Sequence, residues 1–116
     1  MPLNLTPDVL RAAYDYLNAT RPFVRWNLPD GDDVVFRVVR TPNLYAWYER
    51  KRGRHLIAVS RSSVGHTPTL IETMAHEMIH LHEEANGAKT RGEHSAAFKR
   101  WAVQVCAVHG FDPKRF

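Results

Sequence analysis

The sequence predicts an α+β domain: an N-terminal helix, a small, mostly antiparallel three-stranded sheet, and two further helices. Three observations predict it. A capped apolar stripe of helical period opens the chain, with Val9, Leu10, Ala13, Tyr14 (or Tyr16) and Leu17 on one side. Residues 34–60 then hold three short runs rich in β-branched and aromatic residues, separated by turn signals. Helical periodicity returns after residue 67, interrupted by Gly87 and Gly92 and closed by Gly110. Strands followed by helices, without βαβ alternation, describe helices packed on one face of a sheet.

Each element has a local cause. Thr6 can cap the first helix, Pro7 suits its first position, and Asp8 meets the positive end of the dipole. Pro22 and Pro29-Asp30-Gly31 mark irregular chain. Val34 to Val39 reads as the first strand, broken by Thr41-Pro42-Asn43. Leu44 to Glu49 and His55 to Ser60 read as the second and third, joined by a hairpin turn in Arg50-Lys51-Arg52-Gly53-Arg54. The next helix opens at Thr67-Pro68 or at Thr69, where Thr69-x-x-Glu72 fits a capping box, and runs to Ala85 or Asn86. A loop over Ala88–Glu93 leads to a last helix from about Ser95 to His109.

With 116 residues, the chain suffices for one domain and is too short for two, so residues 1–116 are read as a single domain. One cysteine, Cys106, excludes an intramolecular disulfide; flanked by Val105 and Ala107 it reads as a buried small hydrophobe. No apolar run approaches the roughly 20 residues of a membrane span, and the N-terminus lacks the regions of a signal peptide, so a cytoplasmic setting is expected. The net charge of +4 permits nucleic-acid contact without requiring it.

Chemistry concentrates in His76-Glu77-Met78-Ile79-His80, a His-Glu-x-x-His pattern on the second expected helix. Four helical residues advance about 400°, so His76 and His80 sit one turn apart on the same side and can reach one Zn2+. Glu77 beside them suits a general base for a water activated by the metal. A catalytic zinc takes three protein ligands. His82 lies about 120° around the helix from His76 and fits poorly. Glu83 is better placed angularly, but a turn further on, and is expected in solvent or behind the ligands. His94 fits best, because it follows a Gly-containing loop and immediately precedes the last helix. The long metzincin pattern is excluded by Glu83 and Asn86, which stand where it needs Gly and His.

The segment Leu70-Ile71-Glu72-Thr73-Met74-Ala75-His76-Glu77-Met78-Ile79-His80, followed by Glu93-His94-Ser95-Ala96-Ala97-Phe98-Lys99-Arg100-Trp101, resembles the SprT-like zinc metallopeptidase family. That family includes the protease core of Spartan, which degrades proteins crosslinked to DNA. The resemblance covers roughly residues 44–110 and implies a zincin-like fold with a sheet over the metal helix. It implies His76, His80 and His94 as zinc ligands, Glu77 as catalytic base, and a protein or peptide substrate, with DNA-associated proteins one class. Family members show His-Gly-x-x-Phe as the second signature, whereas this chain has Ser95 after His94; serine is a good helix cap. Many relatives continue into a four-cysteine zinc ribbon. With only Cys106, no ribbon is expected in these residues, and the DNA binding that it confers does not carry over.

Weaker signals have two readings each. Arg50, Lys51, Arg52 and Arg54 could contact nucleic-acid phosphates or form a solvated turn. Tyr45, Trp47 and Tyr48 could stack on bases or pack on neighbours, with packing the commoner outcome. Trp26 and Trp101 read as core. An edge strand near the metal, around Leu56–Ser60 or its neighbour, could hold a peptide by strand addition. Tyr45, Tyr48, His66 and nearby arginines are candidates to stabilise an oxyanion. Two alternatives to a peptidase stand: a basic nucleic-acid-associated module with a structural or vestigial metal site, and a zinc hydrolase of non-peptide substrates. A purely structural site has no use for Glu77. The oligomeric state is not encoded in any of these signals.

Overall fold

A computed structural model describes residues 3–87 and 94–116; the loop expected over 88–93 lies outside the described residues. Helix α1 spans Pro7–Asn18, and the Thr6 side chain accepts from the Val9 amide at 3.2 Å, so the expected cap forms. Its buried face is Leu10, Ala13, Tyr14 and Leu17. Tyr14 takes the inner position and Tyr16 stays exposed. The Tyr14 ring meets Phe36 edge-on and its hydroxyl donates to the Pro29 carbonyl, tying the helix to the chain entering the sheet. Two short 3-10 helices, Phe23–Arg25 and Gly31–Asp33, make that connection.

The strands are β1 (Val34–Val39), β2 (Ala46–Lys51) and β3 (Arg54–Ser60), in the order β1-β3-β2. The hairpin forms as expected, with Lys51 opposite Arg54. Arg52 and Gly53 both take positive φ, 52° and 78°, the conformation of the tight two-residue turn whose twist matches the flanking strands. The second strand starts and ends two residues later than its sequence suggests.

The mostly antiparallel expectation needs one correction. β2 pairs antiparallel with β3, but β1 pairs parallel with β3, Val34 opposite His55 through Val39 opposite Ser60, so the sheet is mixed. Leu56-Ile57-Ala58-Val59 is buried on both faces, as a central strand with a parallel neighbour tends to be. Charged Glu49, Arg50 and Lys51 instead suit β2 to an edge. The strand around Leu56–Ser60 is therefore central, and its neighbour β2 offers the free edge.

Helix α2 spans Thr67–Ala85, with His66 at its N-cap making no side-chain hydrogen bond. Pro68 sits in the first turn, which starts the helix before Thr69 and leaves the expected capping box unformed. Gly87, at φ 87°, follows its end. Helix α3 spans Ala96–His109; the Ser95 hydroxyl accepts from the Phe98 amide at 3.0 Å, and Gly110 closes the helix in the left-handed region. Cys106 on α3 is buried, as expected.

α2 is the centre of the molecule. It packs against α1, β2 and α3, so Leu70, Met74, Ala75, Met78, Ile79 and Leu81 are buried on several sides of one helix. Among the described residues no helix is long and apolar enough to cross a membrane.

Candidate metal centre

His76 and His80 lie one turn apart on α2, facing the start of α3, which brings His94 to them. One ring nitrogen from each lies within 4.8 Å of the others. The Nε2 atoms of His76 and His94 are 3.1 Å apart. Ligands on a tetrahedral zinc with bonds of ~2.0–2.1 Å stand about 3.3 Å from one another, so this spacing fits a shared divalent ion. The three expected ligand residues are thus brought together.

The surroundings of His76 and His80 favour the neutral, coordinating form. Burial, then the neighbouring His80 and His94, push His76 down to about 4, and the Phe116 backbone opposes this weakly as a hydrogen-bond acceptor. Burial and His94 push His80 down to about 4. Both rings are uncharged at neutral pH, with lone pairs available. Phe98 forms a floor beneath all three: its ring centroid is 5.0 Å from that of His76, 4.5 Å from His80 and 4.3 Å from His94, lying nearly parallel to His94. The phenylalanine of the second signature therefore restricts ring rotation without competing for a lone pair.

Glu83 is buried, 1% exposed, and not in solvent as its charge suggested. Its Oε1 lies 3.1 Å from His80 Nδ1 and its Oε2 accepts from the Ser95 hydroxyl at 2.8 Å. Since His80 is neutral, the first contact is an Nδ1–H donated to a carboxylate oxygen and not a full ion pair, which leaves Nε2 as the free lone pair. Of the two places expected for Glu83, solvent or behind the ligands, it takes the second, and the i+3 spacing from His80 delivers it there. His82 falls outside the group, stacked on Trp26 at 4.2 Å and edge-on to Trp101 at 4.5 Å. The two indoles pack at the margin of the core.

Glu77 sits in α2 with 6% of its surface exposed and lines a cleft of about 520 Å³ together with His76. Burial alone pushes its carboxyl up to about 8. Leu44, Tyr45 and Ala46, at the start of edge strand β2, form one wall of this cleft, and Arg115 and Phe116 close another side. Arg115 pairs with Glu72 at 3.6 Å, and the Phe116 ring packs 5.3 Å from His76. Among the oxyanion donors considered, Tyr45 and Arg115 line the cleft. The Tyr48 hydroxyl is held by His55 Nδ1 at 2.6 Å, and His66 stands at the start of α2. Arg50, Lys51, Arg52 and Arg54 are exposed at the β2–β3 turn, and no ion pair among the described residues involves them.

This is an α+β domain whose central helix and following helix converge three histidines, a group able to hold a metal ion, beside a buried glutamate. The SprT-like family model matches residues 18–115, which spans the sheet, both site helices and all three histidines, and the chain belongs to the SprT-like family. The match begins where α1 ends, well before the first signature. No curated protein matches the chain.

Proposed function

We propose that this protein is a zinc-dependent peptidase that cleaves an extended protein segment lying in the cleft between β2 and α2. One observation carries the reading: three imidazoles converge at ligand spacing, and one of them, His76, lines the same cleft as the Glu77 carboxyl. Zinc bound there supplies Lewis-acid polarisation of the scissile carbonyl and of a water. His76, His80 and His94 are the residues that would hold it.

The remaining steps belong to the chain's own residues. Glu77 is the group that takes the proton of the attacking water and returns it to the departing amine. Leu44–Ala46, the chain leading into edge strand β2, lines the cleft and is the segment we assign to offer backbone donors and acceptors to an extended substrate. Tyr45, which lines the cleft, is the candidate to donate its hydroxyl to oxyanion charge. A structural-site reading leaves the buried carboxyl of Glu77 without purpose.

The chain purified from cells should carry about one zinc per molecule. Glu77→Gln should keep the metal and lose peptide cleavage by ~10²–10⁴-fold. Full activity in that variant would refute the mechanism.

The exposed basic turn supports a second, compatible element: Arg50, Lys51, Arg52 and Arg54 contact nucleic-acid phosphates and bring the cleft to DNA-associated proteins. Four phosphate contacts to single-stranded DNA imply a log–log salt slope near −3. A flat salt response would remove this element and leave the peptidase reading intact.

A further inference from the structure

The three histidines come from two helices, so their convergence depends on how α2 and the start of α3 are held together. A carboxylate buried to 1% exposure is retained at low cost only when its oxygens are paired, and both oxygens of Glu83 are. One accepts from the His80 ring on α2. The other accepts from Ser95, whose hydroxyl oxygen in turn accepts from the Phe98 amide in the first turn of α3. A continuous run of hydrogen bonds thus passes from imidazole to carboxylate to hydroxyl to backbone, crossing from one ligand-bearing helix to the other. Ser95 directly follows His94. It also stands where the family's second signature has glycine, which has no hydroxyl to offer.

We propose that Glu83 and Ser95 are a positioning pair that sets two metal ligands on different helices at once. Glu83 fixes the proton of His80 on Nδ1 and so presents Nε2. Through Ser95 it pins the residue after His94 and so places that ring. The serine in place of glycine is then part of the site's construction. The inference rests on the metal-site reading and not on peptide cleavage.

The test is metal affinity of the purified chain, measured with Zn2+ against a chromophoric chelator and checked by the visible spectrum of the Co2+ form. Urea unfolding of the metal-free protein is measured in parallel. Glu83→Gln and Ser95→Ala should each weaken Zn2+ binding ~10-fold or more, within the range found when partners of metal ligands are removed. Ser95→Thr, which keeps a capping hydroxyl, should restore wild-type affinity. Because one chain of hydrogen bonds is cut in either case, the double variant should lose far less than the product of the single losses. Unchanged affinity in Ser95→Ala with only a lowered unfolding midpoint would make the contact merely structural and overturn the proposal, as would strict additivity. A wild-type chain that binds no Zn2+ would sink the metal reading itself. A wild-type chain that binds Zn2+ beside variants that bind it equally well would sink only the positioning pair.

Discussion

Glu77→Gln should make the metal-free protein more stable at neutral pH while removing its chemistry. Burial raises the Glu77 carboxyl from 4.5 to about 8, so between these values the folded chain keeps a proton that the unfolded chain has released. Stability from this group is complete below 4.5 and is lost as pH rises towards 8. Each pH unit in that window costs about 1.4 kcal/mol, so by pH 7 the loss amounts to ~3 kcal/mol, a large share of a small domain's stability. The histidines act in the opposite sense. His76 and His80, depressed to about 4, contribute stability that is present above 6.5 and lost as pH falls towards 4, and His55 and His82 are lowered in the same direction. The metal-free protein is therefore expected to be most stable near pH 6.5, with a histidine limb on the acid side and a glutamate limb on the alkaline side. Urea unfolding in the presence of a chelator, from pH 5 to pH 8.5, reads both limbs. Glutamine cannot ionise, so the variant should show a steeper acid limb, freed of the opposing glutamate contribution, and a flattened alkaline one. Parallel curves for the two proteins above pH 6.5 would refute the burial argument.

Two further outcomes follow from the same geometry. His94→Ala removes the ligand that α3 supplies and should weaken zinc binding at least ~100-fold by chelator competition; undiminished binding would remove His94 from the site. Gly53→Ala places a side chain at φ 78° in the β2–β3 turn and should cost ~1 kcal/mol in urea unfolding without altering metal affinity, so an equally stable variant would contradict the turn assignment.

Much of this molecule is legible where the determining physics is local. Thr6, Ser95 and Gly110 mark helix ends because capping depends on a few adjacent residues. The β2–β3 hairpin is legible because two residues with positive φ leave the chain no route but back on itself. The spacing of His76 and His80 follows from helical pitch alone. The parallel pairing of β1 with β3 was not legible, because both strands carry similar apolar runs and nothing local says that the hairpin arm lies outside and its return strand between. Which of its two expected places Glu83 would take, and what His82 would pack on, were not legible for a related reason. A glutamate on a helix is expected in water unless something covers it, and what covers this one is Ser95 on another helix. Likewise, His82 is held by Trp26 from the segment after α1.

The placement of Phe116 has a practical consequence. Its ring packs on His76 while Arg115 reaches Glu72, so the peptide at residue 116 lies at the rim of the cleft. Whatever is joined after Phe116 starts within reach of the three imidazoles. A polyhistidine purification tag fused there would present six or so additional lone pairs to the ion that His76, His80 and His94 are arranged to share. Affinities and stoichiometries measured on such a fusion would report the tag as well as the site, whereas a cleavable tag at the other end leaves the rim as the fold makes it.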